Sequence, residues 1–307
     1  EQSQFMVTGG ATLTASNISI NVTTEFEADK KVKPVGSGSN VFFTFNKGNF
    51  SGVREFFVAS DTDTKKADDI TANVPKFVPA NVFKLATSTT ENILIALSSD
   101  EDNALYVFQY YVAQNKRLQS AWHKWTYGST TSDKILNVDF IENTLFIVNE
   151  RSDGVYLETI DVSPALTDTG ESYLTHLDRK INNTQITESY NAGTNQTTLT
   201  LPYTINNTMK VVGKSGASNK AGQEIATISQ SGTSIVVSGD ITAQNFFIGE
   251  QYEFEFQFSQ QFIQVADSVG SRISVKEGRL QIRNWSVSFN DTGFFTTEVT
   301  PVGRDTS

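Results

Sequence analysis

Three short apolar runs recur at a constant step along this chain. Residues 41–45 (VFFTF), 93–97 (ILIAL) and 145–148 (LFIV) begin 52 residues apart, 93 − 41 and 145 − 93. Each is followed by a second run, 53–58 (VREFFV), 105–111 (LYVFQYY) and 155–160 (VYLETI). The turns between them are Lys47-Gly48-Asn49, Asp102-Asn103 and Ser152-Asp153-Gly154. Side chains alternating with period two between such turns mark antiparallel hairpins. The third copy is a full meander, because residues 135–141 alternate and Glu142-Asn143 reverses the chain. The second reads as four strands, 83–86, 93–97, 105–111 and 118–127. A period of about 50 residues holding three or four short strands is that of a β-propeller blade. An ordinary meander with evenly spaced hairpins gives the same pattern, and three units fall short of the roughly four that closure requires.

The remainder of the chain extends the all-β reading. Residues 4–8 (QFMVT) form a short strand closed by Gly9-Gly10, and residues 12–26 alternate with Ile18, Ile20, Val22 and Thr24 on one face. After residues 174–179 the composition turns to Asn, Thr and Gln, with 199–203 as the compact apolar strand of that stretch. Residues 211–221 read as loop, and 225–228 and 235–237 as short strands. Residues 252–258 (YEFEFQF) alternate aromatics with acids or amide and form the clearest strand of this half. A last meander is expected over 272–275, 278–289 and 294–299. The expected fold is therefore all-β: partial or inserted propeller blades over residues 1–181, and a second antiparallel domain, sandwich or small barrel, over 182–307.

Composition narrows the function. The formal charge of −10 opposes sequence-specific nucleic-acid binding, which needs a basic footprint to neutralise phosphates, yet permits a surface past which nucleic acid slides. There is no Cys and only His123 and His176, so neither a thiolate site nor a His-rich metal centre can be assembled, and no cofactor is expected. No apolar run approaches the roughly 18 residues of a membrane span, and the chain does not open on a signal peptide. The first residue is not Met and the end at Ser307 is abrupt, which leads us to expect a mature or excised fragment.

Several clusters invite chemistry, and each has a plainer explanation. Glu150, Asp153, Glu158 and Asp161 could supply the paired carboxylates of a glycosidase, but Asp153 precedes Gly154 in a turn and acids at strand ends are usually solvated. The stretch from Asp61 to Asp69 resembles the start of a Ca²⁺ loop, yet Lys66 and Ala72 stand where an EF-hand needs Gly and Glu. Gly36-Ser37-Gly38 is neither a nucleophile elbow nor a phosphate loop. Trp122 and Trp125 could form a sugar-stacking platform or an interface. On a strand they face opposite sides, so at least one is expected in the core or an interface. Matches to the glycosylation pattern, such as Asn17 and Asn284, are incidental in so Asn- and Thr-rich a chain. No catalytic or metal-binding residue is expected.

Six runs in one order carry a more specific signal. They are residues 32–63, 69–88, 118–127 (LQSAWHKWTY), 135–141 (ILNVDFI), 150–161 (ERSDGVYLETID) and 174–180 (LTHLDRK). Together with residues 292–305 (TGFFTTEVTPVGRD) they resemble the tail tubular protein B, or nozzle, family of short-tailed podoviruses. The resemblance covers most of residues 4–180 and 279–305, and is confined to TLTLPY across 182–223. It implies a bacteriophage virion protein longer than this chain. Six copies would form a tube for DNA ejection, attached to a tail adaptor ring and docking tail fibres, the second domain being a candidate for fibre docking. It brings no catalytic residues. An acidic wall repels phosphates within about 8 Å at physiological salt, so Asp100, Glu101, Asp102, Glu253 and Glu255 are candidates for channel-facing acids. A carbohydrate-binding or glycan-degrading propeller, and a propeller scaffold unrelated to virions, are the competing readings.

Overall fold

The computed structural model describes residues 3–9, 12, 14–58, 65–113, 116–128, 133–163, 167–216, 220–256, 262–266, 268, 270–275 and 284–288. The described residues form antiparallel sheets, none of them closed. One single-turn helix, Asn183–Gln185, interrupts them. Among these residues no helix is long and apolar enough to cross a membrane.

The repeated runs become three consecutive sheets. Sheet I comprises Val35–Ser37, Asn40–Asn46, Ser51–Val58 and Lys65–Asp69. Sheet II comprises Val82–Ser88, Ile93–Ser98, Glu101–Ala113 and Lys116–Thr126. Sheet III comprises Lys134–Ile141, Thr144–Arg151 and Gly154–Asp161. In each, every strand pairs with its neighbour in sequence.

Strand Ile93–Ser98 shows why these sheets stack. All six of its residues are buried, and a strand's side chains point alternately to its two faces, so both faces of sheet II must be covered. Leu94 and Ala96, with Ala104, Tyr106 and Phe108, pack with Phe42 and Val53 of sheet I. Ile93, Ile95 and Leu97, with Leu105 and Val107, pack with Ile135, Val138, Leu145 and Ile147 of sheet III. Sheet II is thus the middle layer of three. Each fully buried aliphatic side chain contributes about 1.5–3 kcal/mol relative to exposure, so these two cores hold the layers together.

By contacts the chain divides into two compact units whose segments alternate in sequence. The first contains Glu1–Leu166, Thr184–Met209 and Thr227–Thr242; the second contains Thr167–Asn183, Lys210–Ala226 and Ala243–Ser307. Within the first unit, a ribbon pairs Gln4–Thr8 with Ser19–Thr24. Sheet IV, in spatial order, is Thr187–Asn191, Gln196–Thr200, Ser234–Ser238 and Thr227–Ser231. Its buried residues Thr197, Leu199, Ile235 and Val237 share one face. Sheet V runs Asp178–Asn182, Phe246–Glu250, Met209–Gly213 and Glu224–Ile225. The second unit also carries a ribbon of Ile263–Ala266 and Arg272–Val275.

Several expectations need correction. Residues 251–256 lie in no strand, and Tyr252, Phe254 and Phe256 are exposed. Alternation supplies an amphipathic face, but a strand also needs a continuous ladder with a neighbour for its backbone groups. Residues 257 and 258 lie outside the described residues, as does most of the expected last meander; of its described parts, Arg272–Val275 forms a strand, paired with Ile263–Ala266, while 284–288 is not in a strand. Residues 211–213, read as loop, belong to the buried strand Met209–Gly213. Strand Thr187–Asn191 had no apolar signal to announce it.

Candidate functional site

The first strands of sheets I, II and III lie side by side and enclose a groove of about 320 Å³, lined by Lys33, Val35, Phe83, Lys84, Thr87 and Asp139 among others. Polar contacts tie these strands. Thr87 Oγ1 donates to the Gly36 carbonyl at 3.0 Å. Ser88 Oγ donates to the Glu142 carbonyl at 3.3 Å, and Lys84 Nζ donates to Asp139 at 3.2 Å. The lining contains one carboxylate and two ammonium groups, and the carboxylate is already paired with one of them. A glycosidase needs two carboxyls flanking the scissile bond, so this groove lacks that machinery.

Away from the groove, sheet I is locked to sheet II by charge. Glu55, 4% exposed, accepts both Oε1 and Oε2 contacts from Arg117 Nη2 at 2.6 Å. Asn40 Nδ2 adds a third hydrogen bond at 2.7 Å. The Arg117 guanidinium lies over the rings of Phe108 and Tyr110, 5.5 and 4.9 Å from their centroids. The sequence reading missed this pair. Glu55 sits in the run VREFFV, and an acid at an inward strand position needs a buried partner, but nothing in the sequence names Arg117 as that partner.

The residues singled out for the channel divide between the two units. Asp100, Glu101 and Asp102 share the hairpin between the second and third strands of sheet II. Asp100 is exposed and accepts from Asn81 Nδ2 at 2.8 Å. Glu101 accepts from Lys124 Nζ at 2.9 Å and from the Tyr106 hydroxyl. Partial burial raises the Glu101 pKa, but the hydrogen bonds from Lys124 and Tyr106 and the charge of Lys124 bring it below the ordinary value. Asp102 lies 3.7 Å from Lys134 Nζ. Two of these three acids therefore have a lysine neighbour. Glu253 and Glu255, in the second unit, are exposed.

Trp122 and Trp125 occupy opposite faces of strand Lys116–Thr126. Trp122 packs against the sheet I–II core, 5.2 Å from Phe108 by ring centroid, and donates Nε1–H to the Ile70 carbonyl at 2.9 Å. Trp125 packs against the sheet II–III core, with His123 beside it. Burial lowers the His123 pKa, which favours its neutral form. The two indoles cannot form one stacking platform.

Comparison with known proteins decides the family. The bacteriophage nozzle protein family model matches residues 1–307. The chain belongs to that family. Tail tubular protein gp12 of Escherichia phage T7 is 26% identical to it over 304 residues, 96% of this chain and 38% of that protein. The chain thus spans well under half the length of this nozzle relative.

In this nozzle-family chain Asp153 and two of the acids near it, Glu158 and Asp161, are occupied by structural contacts. Arg151 Nε and Nη2 donate to the two oxygens of Glu158 at 2.7 and 2.8 Å, and Asn149 Nδ2 donates at 2.7 Å. Asp153 accepts the Thr204 N–H at 2.8 Å, joining the turn of sheet III to the loop after strand Gln196–Thr200. Partial burial raises the Asp153 pKa, but hydrogen bonds from Thr204 and Tyr156 lower it overall. Asp161 accepts the Ser163 N–H at 2.9 Å. The Ca²⁺-loop resemblance ends similarly: Asp61 and Asp63 lie outside the described residues, and Asp69 holds Lys47 Nζ at 2.6 Å. Among the described residues no three His, Cys, Asp or Glu side chains group as a metal site.

Proposed function

We propose that this chain is a stretch of the wall of a short phage tail, a structural protein lining the path by which double-stranded DNA leaves the virion. Membership of the nozzle family over the whole chain carries this reading. The partners are further copies of the same protein, six by the family resemblance, with a tail adaptor above and tail fibres alongside. The DNA passes without sequence-specific contact. The net charge of −10 supports passage without adhesion, and Asp100, Glu253 and Glu255 are the acids we assign to the lumen. Glu101 and Asp102 are weaker candidates, because neighbouring lysines offset their charge.

Sheets I, II and III are read as consecutive propeller blades. Their strands run in chain order, their step is 52 residues, and their faces stack one on the next. A further blade has a place to sit. The face of sheet III turned from sheet II carries Val148, Val155 and Leu157, and the last two are 61% and 68% exposed. The groove at the first strands would then lie at the blades' common axis.

The tail reading is tested on particles. Antibodies raised against this chain should decorate the tails of purified phage, and electron microscopy of the full-length protein should show rings with a central hole. Absence of the protein from purified particles overturns the assignment. Hydrolysis of bacterial surface polysaccharide by the purified protein would favour the glycan-degrading alternative.

A further inference from the structure

The strands that line the groove of the first unit have one property in common. Val35–Ser37, Val82–Ser88 and Lys134–Ile141 are each the terminal strand of their own sheet. A terminal strand keeps a row of backbone N–H and C=O groups that its single ladder leaves over. Among the described residues no backbone–backbone hydrogen bond joins one of these strands to another. The polar ties between them run instead through the side chains of Thr87, Ser88 and Lys84. Three sheet edges with free backbone groups therefore meet at one opening.

The side chains around that opening supply apolar surface and positive charge. Phe83 is 40% exposed and Val35 is half-buried. Lys33 is exposed, and among the described residues no carboxylate lies within ion-pair reach of it. Lys84 holds Asp139 at 3.2 Å, but the Asp139 side chain is 71% exposed, so that pair is weak and another carboxylate can replace it. The lining thus sets two ammonium groups against one solvated carboxylate, in a chain of net charge −10.

We propose that this groove docks a short, extended, acidic peptide segment of another protein. The segment adds to a free sheet edge through its backbone and places carboxylates beside Lys33 and Lys84. In this mode main-chain hydrogen bonds give affinity and alternate side chains give specificity: acids for the two lysines, apolar residues for Phe83 and Val35. The volume of about 320 Å³ lies at the low end for ligand pockets, which suits a few residues of extended chain and no folded domain. A basic segment would leave Lys33 unpaired, and nucleic acid would leave the backbone edges unused. The inference does not depend on the tail reading, so either can fail alone.

The test is fluorescence anisotropy of a labelled, end-blocked peptide alternating Glu and Val, titrated with the 307-residue chain. The net negative chain repels such a peptide in general, so saturable binding reports a local site. The expected dissociation constant lies between about 10 μM and 1 mM. Lys33→Glu, at an exposed position whose fold circular dichroism can check, should weaken binding about fivefold or more. Lys76→Glu, exposed and outside the groove, should leave it within about twofold. N-methylation of the central peptide bond keeps the charge but removes a donor, and should weaken binding by about fivefold. Absence of saturable binding up to about 1 mM overturns the proposal, as does binding that Lys33→Glu leaves unchanged. An N-methylated peptide that binds as well as its parent overturns the edge pairing on which the proposal stands. A single-stranded oligonucleotide that displaces the peptide at equal concentration would give the groove to phosphates, which also overturns it.

Discussion

Sheets I and III flank the same middle layer, yet their outer faces end differently. On sheet I the outward Phe43 and Phe45 are nearly buried. Arg54 lies 4.5 Å from the Phe45 ring centroid and 5.3 Å from that of Phe26, and Lys47 lies 5.0 Å from Phe45. The chain has closed this face with its own cations, whose aliphatic stems cover apolar surface while their charges sit over aromatic rings. On sheet III the outward Val155 and Leu157 are exposed. A face closed by long polar side chains ends a stack, whereas an open face of short aliphatics leaves room for another sheet.

The sharpest way to break this comparison is a pair of truncations on sheet III. Leu145, fully buried against sheet II, should lose about 3 kcal/mol or more as Leu145→Ala. Leu157→Ala, on the open face, should stay within about 0.5 kcal/mol in this chain. Denaturant unfolding measures both. If the two cost the same, the open face is covered and the comparison fails. Cutting the tie between sheets I and II comes next. Arg117→Ala leaves the Glu55 carboxylate buried without its cation and should cost about 3 kcal/mol. Glu55→Gln should cost less, because Arg117 is partly exposed and can rehydrate. The reverse order would mean that the pair acts through packing alone.

On the closed face, Gly52 permits the Phe45 ring to lie flat on the backbone. A Cβ there would meet ring carbons at 2.3 and 2.4 Å, so Gly52→Ala should destabilise by about 2 kcal/mol and increase probe accessibility at Phe45. The smallest expected effect is at the turn of sheet III. The Asp153 carboxyl has a lowered pKa in the folded chain. Its contribution is therefore present above the ordinary aspartate value of about 3.9 and lost as pH falls through the folded value. Asp153→Asn should melt slightly below wild type at pH 7, and the gap should close below about pH 4.

What could be read from residues alone followed burial. The three meanders were legible because the buried strands of sheets I to III are short apolar runs bounded by turns, and those runs keep their spacing along the chain. The opposite faces of Trp122 and Trp125 followed from odd and even positions on one strand. Strand Thr187–Asn191 (TESYN) was not legible, because it is mostly exposed and is held by its ladder to Gln196–Thr200. Residues 252–256 misled for the converse reason, since their alternation of aromatics and acids is not accompanied by assignment to any strand among the described residues. The lysines beside Glu101 and Asp102 were hidden because they come from the neighbouring strand and the following sheet, and sequence gives no register between strands until the turns are known.

The chain-order pairing of sheets I to III has a consequence for biogenesis. Every ladder in those sheets joins consecutive strands, so each can zip as soon as its hairpin leaves the ribosome, and such local contacts favour fast folding. Sheet IV cannot follow that rule. Its strand Gln196–Thr200 pairs with Ser234–Ser238, and the intervening segment must be synthesised first. The stacked layers can therefore be in place while the later strands are still being translated.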